Sequence, residues 1–297
     1  MVDNVRRPVK RWSVSSEGLA QARQRRYSWP PMSTSSLRLA SSLLLAAALL
    51  LTAPRASAQQ DDVNPDRPGA GTSAFTVPRG ALQIESGIDH ASERRAGEPT
   101  QRRTSLATTV RYGLRDGVEL RLDGEPFVAL RGGEHATNVG DILLGAKLRL
   151  LEGGEGPLRP TLSLLPAVKV PTAPAPIGTE RADFLLLGLA SFSVGRVGLD
   201  LNAGAAAIGQ RDPSGYLIQA LVAATLGVDV TDTLNVFGEI FYASRAERDG
   251  DDLVGASAGI SYKLTHNLVL DAAVITTLAG RGPDYRVQAG MTIRLWP

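Results

Sequence analysis

The chain has 297 residues, no Cys, and a formal net charge of +2. That length admits one large or two small domains, and the lack of Cys excludes disulfides and thiolate metal sites. The charge is uneven: residues 1–58 hold nine of the 32 Lys/Arg and two of the 30 Asp/Glu, leaving 23 bases against 28 acids, net −5, so the composition gives no reason to expect nucleic-acid binding.

Residues 1–58 read as a signal peptide. Arg38 precedes an apolar run from Leu39 to Leu51, followed by Pro54 and the small-residue triplet Ala56-Ser57-Ala58. This is the order of a secretory leader, cleaved between Ala58 and Gln59. The run is shorter than the roughly 20 residues a helix needs to cross a bilayer. Met32 offers an alternative start that gives the leader an ordinary length. Residues 59–80, rich in Gly, Pro and Asp, read as an irregular periplasmic lead-in. Within them Gly69-Ala70-Gly71-Thr72-Ser73-Ala74 mimics a dinucleotide-binding fingerprint, but no strand pattern precedes it and no helix pattern follows.

From Ala81 to Pro297 the pattern has period two, the signature of strands with one apolar face. About twelve segments are expected, near 81–90, 103–112, 117–130, 138–150, 158–170, 182–194, 196–207, 217–230, 233–245, 252–264, 267–279 and 285–296. In the last, Tyr285, Val287, Ala289, Met291, Ile293 and Leu295 alternate with Arg286, Gln288, Gly290, Thr292, Arg294 and Trp296. Connections after even-numbered segments are mostly short, as at Gly195-Arg196. Those after odd-numbered segments are mostly longer and charged or rich in Pro and Gly, as at Pro171–Arg181. Such alternation belongs to outer-membrane barrels, with short periplasmic turns and long outer loops. The fold class is all-β: an up-and-down antiparallel transmembrane barrel of about twelve strands, in the outer membrane of a bacterial cell. Outer-membrane lipid and the barrel-assembly machinery are its expected partners. Tyr112, Tyr242, Tyr262 and Tyr285 lie near segment ends, where aromatic girdles form.

The chain resembles a known family, the outer-membrane barrels grouped as transporters of the MetA pathway of phenol degradation. The likeness rests on Asp66-Arg67-Pro68-Gly69, Val77-Pro78-Arg79-Gly80, Gln83-Ile84-Glu85-Ser86-Gly87, Gly140-Asp141 before Leu144-Gly145-Ala146-Lys147, Val170-Pro171-Thr172, and Ala289 to Leu295. It implies an outer-membrane transporter, linked by name to aromatic compounds, with no catalytic residues. One departure is the terminus: barrels of this kind usually end on an outward aromatic, whereas here Leu295 is outward and Trp296-Pro297 follow.

The polar phase of the segments would line the lumen. The candidates are Glu85, Arg111, Glu119, Arg121, Asp141, Lys147, Arg149, Lys169, Asp200, Glu239, Asp271, Arg286 and Arg294. They either tune a solute path or pair with each other as filling. The expected function is movement of small solutes, with no cofactor and no enzymatic activity. A structural or adhesive barrel without a through-path is the first alternative. The second is a lipid hydrolase at the rim, for which His90 beside Asp89 and Ser92 is the best-placed group. His90, His135 and His266 are too scattered for a metal site.

Overall fold

The computed structural model describes residues 63–296, apart from positions 96, 155, 157 and 212. The leader, its Ala58/Gln59 junction and Met32 lie outside the described residues.

Thirteen strands follow in order: β1 (Leu82–Glu93), β2 (Gln101–Arg115), β3 (Val118–Arg131), β4 (Ala136–Asn138), β5 (Ile142–Leu151), β6 (Thr161–Val170), β7 (Asp183–Val194), β8 (Val197–Gln210), β9 (Gly215–Asp229), β10 (Leu234–Ala243), β11 (Leu253–Thr265), β12 (Leu268–Gly280) and β13 (Tyr285–Leu295). All pairings are antiparallel and join chain neighbours, except that β3 pairs with β5 as well as β4 and that β1 pairs with β13, Leu82 opposite Leu295 and Ser92 opposite Tyr285. The sheet therefore closes on itself and leaves no long free edge. The wall is twelve strands around, because β4 and β5 share the flank of β3.

That sharing corrects one expectation. The segment expected at 138–150 is broken at Val139–Asp141. Pro126, opposite the break, has no N–H to donate to a ladder. Across the break Gly140 N donates to Glu125 O at 2.7 Å. A Cβ on Gly140 would lie 2.6 Å from Glu125 Oε2, so a side chain there would push the two segments apart.

The faces alternate as the period-two pattern requires. Leu120, Leu122, Val197, Leu201, Ile218, Val222, Leu226, Ile240, Ile260 and Met291 are exposed on the outside. Glu85, Glu119, Lys147, Asn202, Glu239, Ser257, Gln288 and Thr292 are buried inside. Charge on the outer face would cost about 2–4 kcal/mol near mid-membrane, which is why this phase is kept. A bulge on β3 between Gly124 and Phe127, seen in the register shift against β2, reverses the phase there. Phe127 consequently faces outward, while Val128 and Leu130 turn in and are buried.

Candidate functional site

The segment expected as a lead-in lies inside the barrel. Val63 N donates to His266 O in the short turn between β11 and β12. The chain then climbs to a tip around Pro68–Gly71, descends, and leaves at Gly80, whose N–H donates to Gly113 O. Residues 63–80 thus form a re-entrant loop occupying the short-turn half of the lumen.

Its polarity decides how it is held. Backbone in a protein interior must satisfy its N–H groups, and the inward side chains supply the acceptors. Glu85 accepts from Asp66 N, Gln288 from Gly69 N, Asn202 from Thr72 N, Ser191 from Ala74 N, and Glu119 from Val77 N. At the tip, Glu239 accepts from both Ala70 N (2.8 Å) and Gly71 N (2.7 Å), and also from Thr225 and Ser257. A Cβ on Gly71 would lie 2.8 Å from both Glu239 Oε2 and Thr225 Oγ1, so only glycine admits this approach. The stretch that mimics an anion-binding fingerprint therefore does grip an anion, the barrel's own Glu239.

Charge concentrates on the β1–β5 side. Asp66 enters a cluster of Arg111, Arg121 and Lys147, with Lys147 Nζ 2.8 Å from its carboxylate. Arg111 also meets Glu85 and Glu119 at 2.8 Å each. These side chains are almost fully buried, with Lys147, Glu85 and Glu119 at 0% side-chain exposure. Phe75 O accepts from Arg111 and Lys147. Nearby, Arg67 reaches Asp271 at 3.2 Å. On the β7–β12 side a cavity of about 550 Å³ remains between the loop and the wall, lined among others by Arg67, Asp200, Thr225, Phe237, Glu239 and Lys263.

Of the expected lumen residues, Glu85, Arg111, Glu119, Arg121, Lys147, Glu239 and Asp271 hold the re-entrant loop directly. Asp200 acts one bond away, accepting from the Ser191 hydroxyl, the same group that accepts from Ala74. Arg149 pairs with Glu152 near the short turns, and Arg294 is buried at the same end. Asp141, Lys169 and Arg286 belong to the long-loop end: Lys169 bridges Asp183 at 2.6 Å and Asp141 at 3.5 Å, and Arg286 faces Asp89 at 3.5 Å. Asp66, Arg67, Ser191, Asn202 and Gln288 were outside the expected set. Asp66 and Arg67 stand out in the sequence as charged residues inside a Gly/Pro-rich stretch and as the start of the motif Asp66-Arg67-Pro68-Gly69.

Above the loop the lumen changes character. Inward Leu185 and Leu187 alternate with exposed Phe184 and Leu186 on β7. Val128, Leu130, Ala206 and Ile275 are buried, and Leu221 and Phe241 also point in. They lie on the long-loop side of the tip, interspersed with charged pairs such as Lys169 with Asp183 and Arg286 with Asp89. The polar groups there are paired, as in Arg103 with Glu125.

The rim hydrolase arrangement does not assemble around His90. Its Nδ1 lies 2.8 Å from Thr104 Oγ1 and its ring packs 6.3 Å from Tyr285 on the outer face. Asp89 points the opposite way and accepts from Gln288.

Residues 65–295 match the family described as "Putative MetA-pathway of phenol degradation". Among solved structures the barrel is similar to an outer membrane channel from Pseudomonas putida F1, with a TM-score of 0.59 at 15% identity over 74% of this chain and 97% of that one. It is also similar to the NanC porin (TM-score 0.48, 7% identity, 72% of this chain and 100% of that one). A third is the translocator domain of the autotransporter NalP from Neisseria meningitidis (TM-score 0.47, 13% identity, 73% and 88%). No curated protein sequence matches the chain. The first likeness establishes the fold, a barrel of the outer-membrane type.

Proposed function

The chain belongs to the "Putative MetA-pathway of phenol degradation" family, and from that premise we propose that it is a bacterial outer-membrane channel admitting small apolar or aromatic solutes. The observation that carries the reading is the division of the lumen. Its long-loop half presents inward apolar side chains, Val128, Leu130, Leu221, Phe241 and Ile275, between charges that pair with each other. Its short-turn half, periplasmic in barrels of this type, is occupied by a polar loop that leaves a cavity of about 550 Å³ on one side. An apolar solute gains from the first environment and is refused by the second, whose buried charges and bonded N–H groups it cannot replace. The occupied half restricts ion leakage, and the other half selects the solute. The fold supplies passage by position and polarity, with no chemical step.

The test uses cells with intact lipopolysaccharide and N-phenylnaphthylamine, an apolar aromatic probe that fluoresces in acyl chains. Expression is expected to raise its uptake rate over cells lacking the barrel, with single-channel conductance in planar bilayers remaining small. Large steady conductance with no gain in probe uptake would overturn the reading in favour of a general porin.

A further inference from the structure

We infer that Arg102 and Arg131, side by side on the outer surface of the wall at its long-loop end, form a docking site for a phosphate of lipid A, the phosphorylated glycolipid of the outer leaflet. The site is independent of what passes through the lumen.

The ladder places the pair. Arg131 stands opposite Arg102, Arg102 opposite Ser92, and Ser92 opposite Tyr285, a row that runs from β3 through β2 and β1 to β13. Side chains along a strand alternate between faces, and Ile88, Phe127 and Met291 on the outside fix the phase. The row therefore points outward, and both arginines are exposed. Tyr285, exposed at its β13 end, marks the aromatic girdle, which sits at headgroup level.

Charge singles this row out. At the long-loop ends of the described strands the outward phase is charged only at Arg102 and Arg131. Arg94, Arg95 and Arg103 each meet a carboxylate, that of Asp284, Glu93 and Glu125. Among the described residues Arg102 and Arg131 meet none. The Arg131 guanidinium donates to Leu130 O, Ala136 O and Thr137 Oγ1. These neutral acceptors fix its position and leave its charge uncancelled. Like charges directly opposite on a sheet repel, and a bound anion removes that repulsion. Opposite residues have Cβ atoms about 4.5–5.5 Å apart, a spacing that one phosphate can bridge. The guanidinium fork matches phosphate oxygens.

The surface beneath the row selects a lipid over a soluble anion. Four residues nearer mid-membrane on β1, β2 and β3, Ile88, Leu106 and Phe127 form a parallel row of register partners. Ile88 and Phe127 are exposed at 60% and 46%. Arginines above and hydrocarbon below match a phosphate that stands over its own acyl chains.

The test titrates the full barrel, refolded in detergent, with bisphosphorylated lipid A. The readout is the temperature at which the folded band is lost on gels, which a ligand of the folded state raises. The unsubstituted protein is expected to show a saturable rise. Arg102→Gln/Arg131→Gln is expected to need at least about tenfold more lipid A for the half-maximal rise. Arg245→Gln/Arg248→Gln, two arginines of the β10–β11 loop, is expected to titrate as the unsubstituted protein does. An unchanged titration in the Arg102/Arg131 variant overturns the site, and an equal loss in the loop variant overturns it in favour of diffuse charge attraction. An equal rise with lipid A stripped of its phosphates overturns phosphate recognition. An equal rise with inorganic phosphate at the same concentration overturns the lipid in favour of a soluble anion. Should the double variant fail to refold, Arg102→Gln alone is expected to weaken the titration severalfold, and no weakening overturns the site.

Discussion

Asp66→Ala removes the one carboxylate that the re-entrant loop contributes to the buried cluster. Arg111, Arg121 and Lys147 are met there by Asp66, Glu85 and Glu119, three charges against three. Arg111 keeps Glu85 and Glu119 after the substitution, and Arg121 keeps Asp123. Lys147, with a side chain 0% exposed, keeps only Thr72 Oγ1 and Phe75 O as bonding partners. Stranding one buried charge costs about 3–5 kcal/mol. Because Asp66 touches the cluster only when the loop is docked, the cost falls on docking. Even about 3 kcal/mol shifts the docked-to-released ratio by roughly a hundredfold. Planar-bilayer recordings should then pass from rare, brief openings to frequent ones. The double variant Asp66→Ala/Lys147→Met leaves two charges against two, so it should be quieter than Asp66→Ala alone. A double variant at least as leaky as the single one would refute the charge-balance reasoning.

Three further outcomes are expected. Gly71→Val puts side-chain atoms where Glu239 and Thr225 stand; it should expose the loop to added protease in refolded protein without altering heat-shifted mobility. Val222→Arg places a charge on the outer face at a residue 50% exposed to lipid, at about 2–4 kcal/mol, and should reduce the folded band, whereas inward Thr225→Arg should leave that band and raise conductance by displacing the loop tip. In the loop between β10 and β11, hydrogen bonds from the Tyr242 hydroxyl and Arg245 N hold the Asp252 carboxyl below its usual range. A depressed carboxylate stabilises above its unfolded pKa, near 3.9, and loses this as pH falls through its folded value. Hydrogen exchange at Arg245 N, corrected for intrinsic rate, should therefore stay slow from neutral pH down to the ordinary carboxylate range and quicken only below it.

The barrel was legible because its signal is repeated. Most strands carry the same alternation, β7 with its FLLL run being apolar on both faces, and a one-residue slip in an alternating strand would put charge into lipid. Segment edges at Gly195-Arg196 and at Tyr285 agree with β7, β8 and β13 to within a residue or two. Inward residues such as Glu119 and Glu239 were legible for the same reason. Their partners were not. The re-entrant loop has no period, since its residues touch Glu85, Glu239, Asn202 and Ser191 on four different strands. Hydrogen bonds from backbone N–H groups leave no side-chain pattern to read. The break at Val139–Asp141 was hidden differently: Val139 fits an outward strand position, and the cause lies across the sheet at Pro126.

Undocking the re-entrant loop means releasing N–H bonds from Asp66, Gly69, Ala70, Gly71, Thr72, Ala74 and Val77, most of them to carboxylates or amides. At about 1 kcal/mol net for each bond, and about 3–5 kcal/mol for the cluster around Asp66, the loop stays docked on thermal grounds. With the loop docked, the space left beside it is the cavity of about 550 Å³ on the β7–β12 side.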